Sequence, residues 1–256
     1  MSEYILRTDK ISKSFGGVDA VVNFSMELKD GEIKGIIGPN GAGKTTIYNL
    51  LSQIYTVDSG RIEFDGIDVT DKDQVTVARM GLSRTFQNTR LFAGLDVLDN
   101  VKVALDYAGG YNMFEAFFRL PRVRREEKRI AREAMDCLEI LDLSQYAKLR
   151  PSSLPYGIQR RVEIARALAG RPKVLMLDEP AAGLNPEEAF ELIDFIRDIK
   201  NKFDLSILII EHRMDVIMNL CGYIYVQDFG HTIAEGTPAE IQVNPAVLAA
   251  YLGEEE

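Results

Sequence analysis

A glycine-rich segment near the N-terminus has the residue types and spacing of a phosphate-binding loop. It fits the pattern GxxxxGK[ST] in full, and with the next threonine its residues are Gly38, Pro39, Asn40, Gly41, Ala42, Gly43, Lys44, Thr45 and Thr46. Glycines let backbone N–H groups approach phosphate oxygens, Lys44 would reach the β- and γ-phosphates, and the Thr45 hydroxyl would bind Mg²⁺. An ordinary glycine turn is the alternative, which the complete pattern disfavours. The segment therefore predicts a site for ATP and Mg²⁺.

Two carboxylates follow an apolar segment farther along the chain. Residues 174–177 are all apolar, and Asp178 and Glu179 come directly after them. A strand would hold Asp178 at the edge of a sheet, where it would bind Mg²⁺ through water. Glu179 would be the base or polariser of the attacking water. Acidic residues often follow buried strands at a surface, so it is the phosphate loop that makes this pair indicate nucleotide hydrolysis.

Composition argues against several other classes of protein. The chain has 256 residues, of which 46% are hydrophobic, so it can bury a sizeable core. Its net charge of −9 argues against a sequence-independent nucleic-acid binder. Its apolar runs are far shorter than the roughly 20 residues that span a bilayer, and no secretory signal is visible, so a cytosolic chain is expected. Only Cys137 and Cys221 occur, which favours buried thiols over disulfides or a zinc site.

The elements that position the two motifs alternate along the chain between strand and helix patterns. The predicted strands have apolar or alternating sequences and cover residues 22–28, 33–37, 61–69, 174–177 and 206–210. The third is expected at a sheet edge, with a turn at Asp65-Gly66. Helices are predicted over 44–51 and 156–169, and a further helix begins at Pro186 with Asn185 as its cap. Strands that alternate with helices predict a mainly parallel sheet covered on both faces.

The middle of the chain has a different character, being charged and rich in helix patterns. We expect an inserted helical subdomain at residues 95–170, with Pro121 between two of its helices. A β-subdomain and a core would comprise residues 1–94 and 171–256. The mixed-sign run 122–129 is expected to be a solvated helix face, with contact to anionic lipid heads as the alternative.

The order of these segments resembles that of ABC transporter ATPases along nearly the whole chain. Leu154, Pro155, Tyr156 and Gly157 lie just before a predicted helix and upstream of Asp178, where that family has its signature motif. The resemblance implies the ABC ATPase fold, an α/β fold with a RecA-like P-loop core, an antiparallel β-subdomain and an inserted α-helical subdomain. It also implies that the signature faces ATP held by a second ATP-binding subunit, an identical copy or a paralogue, in a two-fold dimer.

The same resemblance implies roles for further residues. Gln87 looks like the glutamine that senses Mg²⁺ and the attacking water, and that links the site to the permease. His212 looks like the switch histidine that hydrogen-bonds the γ-phosphate and holds the water of Glu179 in line. Phe15 matches the aromatic residue that stacks on adenine, with packing between strands as the alternative. His231, near a glycine turn, is expected to be structural.

The sequence departs from the usual motifs of the family at two points. Pro155 replaces the serine of LSGGQ, whose hydroxyl normally meets the γ-phosphate. Proline suits the first turn of a helix, so the structural part of the motif is expected to survive without that hydrogen bond. Asn185 replaces the usual aspartate at the end of loop 181–185, which removes a negative charge from that loop.

Three segments, 81–92, 154–157 and 251–253, resemble an ATP-binding subunit of bacterial and archaeal branched-chain amino acid importers. This implies a peripheral protein on the cytoplasmic face of the membrane, with integral membrane permease subunits and, indirectly, a solute-binding protein as partners and no nucleic acid. Alternatives are the ATPase of another ABC system, such as a urea importer or a lipid or lipopolysaccharide exporter, and a soluble ABC protein acting on ribosomes or DNA. Phe92 is expected to lie in a loop and dock against the permease, unless it only anchors that loop.

Overall fold

The computed structural model describes residues 3–85, 91–106 and 121–252. The chain forms two compact units, one of Met1–Gln87 with Lys173–Glu256 and one of Asn88–Pro172. The first unit contains every described strand, and the described regular elements of the second are helical. Within the described ranges, no helix combines the length and the apolar character needed to cross a membrane.

The described strands all belong to the first unit. In chain order they are β1 (Leu6–Phe15), β2 (Val18–Leu28), β3 (Ile33–Ile37), β4 (Ser59–Phe64), β5 (Ile67–Asp68), β6 (Leu82–Arg84), β7 (Val174–Asp178), β8 (Ser206–Ile210), β9 (Tyr223–Asp228) and β10 (His231–Gly236). They form a four-stranded sheet of order β2-β1-β4-β5 and a six-stranded sheet of order β10-β9-β3-β8-β7-β6.

The described α-helices lie in both units. In chain order they are α1 (Lys44–Leu51), α2 (Gln74–Met80), α3 (Val97–Asp106), α4 (Pro121–Ile140), α5 (Tyr156–Ala169), α6 (Pro186–Phe203), α7 (Met214–Leu220), α8 (Pro238–Gln242) and α9 (Pro245–Leu252). Helices α3, α4 and α5 belong to the second unit. The helices that the sequence predicts over 44–51 and 156–169 are confirmed, as is the helix from Pro186 with Asn185 as its cap.

The four-stranded sheet is antiparallel, and it corrects the prediction of one edge strand over residues 61–69. The segment contains two strands, β4 and β5, joined by a turn at Asp65 and Gly66 with φ angles of 51° and 74°. A two-residue turn with positive φ at both positions matches the twist of a hairpin. The chain therefore reverses at this turn and β4 pairs with β1 as well, so of these two strands β5 lies at an edge of the sheet and β4 does not.

Strand β2 departs from the predicted alternation at one position. Phe24, Met26 and Leu28 are buried as expected, but Val21 is buried in place of Val22. The pairs Ile11 with Phe24 and Lys13 with Val21 show that β2 contains one extra residue there, a β-bulge. Asn23, within the bulge, has a φ of 50° and is exposed. One extra residue moves the next side chain to the other face of the sheet.

The six-stranded sheet is parallel except for the antiparallel pair β9 and β10, as the alternation of strands and helices predicts. Every residue of β7 and β8 is buried, which suits strands covered on both faces. Ile36 and Asp178 are both in register with Ile210. The carboxyl ends of β3, β7 and β8 therefore meet at one edge, and the loops that follow these strands share it.

One apolar cluster joins the two sheets of the first unit through helix α1. Its large side chains include Phe24 and Phe64 of the antiparallel sheet, Tyr48 of α1, and Met176 and Ile210 of the parallel sheet. The single O–H of Tyr48 lies within donating distance of two carbonyl oxygens, those of Leu208 (2.6 Å) and Leu177 (3.1 Å). Helix α1 is thereby fixed to β7 and β8, two of the strands whose ends form the edge described above.

The second unit holds its helices together with buried polar contacts as well as apolar ones. The Cys137 thiol of α4 donates to the carbonyl oxygen of Ala165 in α5. Cys137 and Cys221 are both buried free thiols, as the sequence predicts. Burial raises the pKa of Cys137 to about 11 and also raises that of Cys221. Along α4, Arg129 pairs with Glu126 and with Glu133 (2.7 Å) on the exposed face.

Candidate active site

The phosphate loop lies between β3 and α1, and its glycines have no room for side chains at two points. Gly38 has a φ of 148°, and a Cβ there would come 2.0 Å from the carbonyl oxygen of Gln227. Gly43 has a φ of 98°, and a Cβ would come 2.2 Å from the carbonyl oxygen of Ala20. The loop backbone is thus pressed against β9 and β2, which fixes its course.

Lys44 begins helix α1 and is almost fully buried. Its Nζ donates hydrogen bonds to the carbonyl oxygens of Gly38 and Pro39, both at 2.6 Å, so the ammonium lies inside the curve of the loop. Thr45 is exposed and Thr46 half-buried in the first turn. That turn contains no acidic residue and no side chain caps it. A helix N-terminus without a side-chain cap and a nearby cation together suit an anion.

Asp178, the last residue of β7, is held by an arginine whose role the sequence analysis missed. Nη2 of Arg84 lies 2.7 Å from Oδ2 of Asp178, and both side chains are at least nine-tenths buried. Nη1 of Arg84 donates to Oδ1 of Asn49 (2.7 Å), and the guanidinium stands over the ring of Tyr48. The signal available in the sequence was only a basic residue in a short segment, which the structure shows to be the end of β6. This arginine fixes the carboxylate and ties it to α1.

The described side chains suit a metal ion that is bound together with a nucleotide. Within residues 3–85, 91–106 and 121–252, no three or more His, Cys, Asp or Glu side chains are grouped to bind a metal. Mg²⁺ usually takes one or two protein oxygens and completes its shell with water and substrate phosphates. The Thr45 hydroxyl and the Asp178 carboxylate supply oxygens of this kind, so the residues fit an ion that arrives with a nucleotide.

Glu179 and His212 are in direct contact. Nε2 of His212 lies 2.6 Å from Oε1 of Glu179. The Glu179 side chain is 12% exposed and that of His212 36% exposed, so the pair reaches solvent mainly through the histidine. Glu179 has a φ of 47°, uncommon for a residue other than glycine, and its N–H donates to the carbonyl oxygen of Ile210 (2.8 Å). A strained residue at a sheet edge beside a histidine is typical of a functional site.

A second carboxylate, Glu211, lies next to this pair and was also missed from the sequence. It is 2% exposed, and its Oε1 accepts the N–H of Ala181 at 2.6 Å. Its Oε2 accepts the N–H groups of His212 (3.0 Å) and Arg213 (3.3 Å). Burial raises the pKa of the Glu211 carboxyl, and the nearby charge of Glu179 adds to the rise. No short motif marks such a residue, because the partner of its Oε1, the Ala181 N–H, belongs to another segment of the chain.

Phe15, at the end of β1, lies beside an aromatic residue not foreseen from the sequence. Its ring centroid is 5.2 Å from that of Tyr55, edge to face, and Lys13 Nζ lies 5.6 Å from its centroid. Phe15 is 43% exposed and Tyr55 39% exposed. Phe15 is therefore partly exposed, and its ring packs edge to face against Tyr55.

The signature residues lie in the second unit, at the start of α5. Pro155 is the N-cap, with φ −54° and ψ 149°, and no side chain caps the helix. The first helical residue is Tyr156, as predicted, so this proline lies directly before the first turn. Tyr156 is 40% exposed, and the guanidinium of the buried Arg160 lies 5.5 Å from its ring centroid. Leu154 is buried and Gly157 is half-buried.

The remaining predicted residues are Gln87, Phe92 and His231. Gln87 falls outside the described residues. Phe92 follows in a segment without regular structure, as predicted, and is 50% exposed. Its N–H donates to Oδ1 of Asn100 (2.7 Å), and its carbonyl oxygen accepts from Nδ2 of the same side chain (3.1 Å). His231 is exposed on β10.

Comparison with known proteins extends these observations. A family model described as ABC transporter matches residues 21–182, and one described as branched-chain amino acid ATP-binding cassette transporter matches residues 231–256. The chain is 42% identical over 254 residues, 99% of its length and 100% of the relative's, to the high-affinity branched-chain amino acid transport ATP-binding protein LivG of Salmonella typhimurium. It is 39% identical, with the same coverage, to the corresponding BraF of Pseudomonas aeruginosa. A solved nucleotide-free ATP-binding cassette from an ABC transporter is similar with a TM-score of 0.84 and 32% identity, over 97% of this chain and 98% of that one.

Proposed function

Because this chain belongs to the ABC transporter family of ATP-binding proteins, we propose that it is the subunit whose ATP hydrolysis powers solute import through a separate permease. The ABC ATPase fold and the ATPase activity predicted from the sequence are confirmed by this membership. The observation that carries the catalytic proposal is the contact between Glu179 and His212, at the sheet edge that also carries the phosphate loop.

Branched-chain amino acids are the solute that we propose. Support comes from the match at residues 231–256 and from relatives that are named for transport of these amino acids. An ATP-binding subunit does not itself contact the solute, so likeness and not a pocket supports this part of the proposal.

Nucleotide binding would use the phosphate loop from Gly38 to Thr46. Lys44 would exchange its contacts with loop carbonyl oxygens for the β- and γ-phosphates, while loop N–H groups bind the remaining oxygens. Phe15, oriented by Tyr55, would stack on the adenine. Mg²⁺, when bound with ATP, would neutralise phosphate charge, held by Thr45, Gln87 and, through water, Asp178.

Hydrolysis would depend on the paired side chains at the ends of β7 and β8. Glu179 would accept a hydrogen bond from the attacking water and polarise it, and could do so only as a carboxylate. His212 fixes that carboxylate through Nε2 and would also reach the γ-phosphate. The pair thus orients the water in line with the bond that breaks.

The proposed partners follow from the same family. Leu154, Pro155, Tyr156 and Gly157, in the helical subdomain of residues 95–170, would face ATP bound to a second ATP-binding subunit. Integral membrane permease subunits would receive the resulting motion, and a solute-binding protein would act indirectly, without nucleic acid. The chain would lie peripherally at the cytoplasmic face of the membrane.

Substitution of Glu179 by glutamine tests the catalytic proposal. Glu179→Gln removes the carboxylate and leaves the phosphate loop intact, so ATP binding should persist while hydrolysis stops. The variant should accumulate as an ATP-bound dimer, visible by size-exclusion chromatography, with ATPase turnover measured in parallel. Lys44→Ala is the comparison variant, because loss of the loop cation should weaken ATP binding itself.

Near-native turnover of Glu179→Gln would exclude this residue from the catalytic role. With the permease and binding protein reconstituted, leucine, isoleucine or valine should stimulate hydrolysis by the wild-type chain and urea should not. Stimulation by urea alone would retain the ATPase assignment and overturn the proposed solute.

A further inference from the structure

The segments that follow β7 and β8 remain in contact beyond the end of the sheet. The Glu179 N–H bonds to Ile210 as the last step of the parallel ladder, and its carboxylate then contacts His212. Two further contacts follow, from the residues on either side of that histidine. Glu211 accepts the N–H of Ala181 at 2.6 Å, and Nη1 of Arg213 donates to the carbonyl oxygen of Leu184 at 3.0 Å.

These two contacts hold both ends of one short loop, residues 181–184. The loop is compact, since the N–H of Leu184 donates to the carbonyl oxygen of Ala181 at 3.2 Å. It ends at Asn185, where a capping box with Glu188 starts helix α6. We call the side chains of Glu211 and Arg213, with their two contacts to this loop, the clasp.

Each side chain of the clasp is fixed to its own segment before it reaches the loop. The second oxygen of Glu211 accepts two backbone N–H groups, those of His212 and Arg213. The guanidinium of Arg213 also bonds to the carboxylate of Asp215, with Nη2 to Oδ2 at 2.6 Å and Nε to Oδ1 at 3.2 Å. Side chains restrained in this way transmit a displacement of one segment to the other instead of absorbing it.

Glu179 has a backbone conformation that depends on neighbouring contacts, including one made by the clasp. Its positive φ is unfavourable for a residue with a Cβ and persists only when neighbouring contacts over-determine it. On one side its N–H is fixed by Ile210, and two residues later the Ala181 N–H is fixed by Glu211. Without the second contact the backbone at 179 could relax to negative φ, which would carry the carboxylate away from His212.

We propose that Glu211 and Arg213 are positioning residues for ATP hydrolysis, because together they hold loop 181–184 and so keep Glu179 against His212. The proposal rests on the proposed roles of Glu179 and His212. Neither member of the clasp is among the residues proposed above to bind the nucleotide, and both act through loop 181–184. Burial of the Glu211 carboxylate costs free energy that its hydrogen bonds must offset. A neutral residue would avoid this cost, so stability alone does not explain a carboxylate at this position, next to Glu179 and His212.

Steady-state kinetics of the purified chain give the first test. Glu211→Ala and Arg213→Ala should each lower kcat roughly 10- to 100-fold, the scale reported for misplacement of a reacting group by about 1 Å. The KM for Mg-ATP should stay within about threefold, because the phosphate loop is untouched. Glu211→Gln retains one oxygen acceptor and should fall between Glu211→Ala and the wild type.

Two matched controls separate positioning from general stability. Arg197 also donates to a backbone carbonyl oxygen, that of Asn219 at 2.6 Å, and Glu240 also accepts a backbone N–H, that of Thr237 at 2.7 Å. Arg197→Ala and Glu240→Ala should leave kcat within about twofold of wild type. Thermal midpoints of all variants show whether each is folded at the assay temperature.

A structural readout makes the test independent of turnover. The chain has only two histidines, so the Cε1–H region of a ring C–H correlation spectrum contains one signal from His212 and one from His231, assigned with His231→Gln. In Glu211→Ala the His212 signal should shift or broaden while that of His231, exposed on β10, stays in place. If Glu211 and Arg213 hold the loop together, Arg213→Ala should also shift or broaden the His212 signal and leave that of His231 in place.

Loss of kcat with an unmoved His212 signal would overturn the proposal, as would clasp variants that behave like their controls. If Glu211→Ala does not fold, the test uses Glu211→Gln and Arg213→Ala, each of which alters only one of the two contacts with loop 181–184. If Glu179→Gln hydrolyses ATP normally, the catalytic proposal fails, whereas a moved His212 signal in Glu211→Ala would still establish the clasp as a structural link.

Discussion

Arg84 and Asp178 form an ion pair from which water is almost excluded, and their side chains are 7% and 4% exposed. Taking two charges out of water is costly, and the attraction between them repays the cost only with good geometry and further hydrogen bonds. Arg84 has these, because Asn49 accepts a bond and the Tyr48 ring faces its guanidinium. The pair therefore acts less as a source of stability than as a device that fixes the Asp178 carboxylate.

Removal of one partner should expose that cost. Arg84→Ala would leave Asp178 as a buried charge without its guanidinium, and should lower the free energy of unfolding by about 3–5 kcal/mol, measured by chemical denaturation of nucleotide-free protein. Arg61→Ala is the matched control, because Arg61 and Asp68 form an exposed pair at 2.8 Å that should contribute at most about 1 kcal/mol. Equal losses in the two variants would contradict the assigned role of Arg84, and addition of Asp178→Ala to Arg84→Ala should recover part of the loss.

Elements with a strong local signal are the ones that the sequence predicted well. Strand β8 is a continuous apolar run, and α6 has its cap at Asn185 and a proline at its first position, so neighbours in sequence decide their form. The β-bulge at Asn23 and the division between β4 and β5 depend on pairing with β1, which local pattern does not reveal. Some residues of the candidate site could not be predicted for the same reason, because their partners are distant in the sequence.

Site residues follow the same division between local and distant causes. The phosphate loop is recognisable because all of its binding groups are contiguous from Gly38 onward. Arg84 and Glu211 bind partners 94 and 30 positions away, Asp178 and Ala181, so no motif of fixed spacing contains them. Arg84 and Glu211 come near their partners only because β6, β7 and β8 are neighbours in the sheet, and local sequence does not reveal that strand order.

The start of helix α5 gives a prediction at the level of one element. Pro155 occupies the N-cap without a side-chain acceptor, so Pro155→Ser would supply a hydroxyl where serine is among the best caps. In the ATP-bound dimer this hydroxyl could also make the hydrogen bond to the γ-phosphate that the family's serine normally makes. In the Glu179→Gln background, ATP-dependent dimerisation should therefore tighten roughly two- to tenfold, the effect of one neutral hydrogen bond of about 0.5–1.5 kcal/mol. Analytical ultracentrifugation over a range of ATP concentrations measures this.

Pro155→Ala separates the hydroxyl from the loss of proline. It removes the ring without adding an oxygen, so dimerisation should not tighten. If the serine and alanine variants dimerise alike, or the serine variant dimerises no better than its Glu179→Gln parent, the missing hydroxyl is not the limiting contact.

The molecule as a whole divides its candidate functions between its two units. The first contains the phosphate loop, Asp178, Glu179 and His212, and so the groups proposed to bind and hydrolyse ATP. The second contains the signature segment and Phe92. An ATPase that drives a separate permease must pass a nucleotide-dependent change to another protein, and this requires a surface that is well fixed to its own unit and still exposed.

Phe92 meets both requirements in the second unit. Its backbone is held by Asn100, a fully buried side chain of α3 that bonds to both the N–H and the carbonyl oxygen of Phe92. Its ring is half exposed, with the guanidinium of Arg166 at 5.8 Å from the centroid. An aromatic side chain presented in this way suits an anchor in a protein interface, where a few such residues contribute most of the binding energy. Its backbone contacts would survive truncation of the ring.

Phe92→Ala should therefore spare the isolated chain and uncouple the assembled transporter. ATPase activity and the thermal midpoint of the purified variant should match wild type, because the ring is half exposed and lies in the unit that lacks the phosphate loop. In the complex reconstituted with permease and binding protein, stimulation of ATPase by leucine should be lost. Ile140→Ala, which truncates a comparably exposed apolar side chain at the end of α4, should leave both measurements unchanged. If Phe92→Ala unfolds on its own, or couples normally once reconstituted, the residue only anchors its own loop and the surface that meets the permease lies elsewhere.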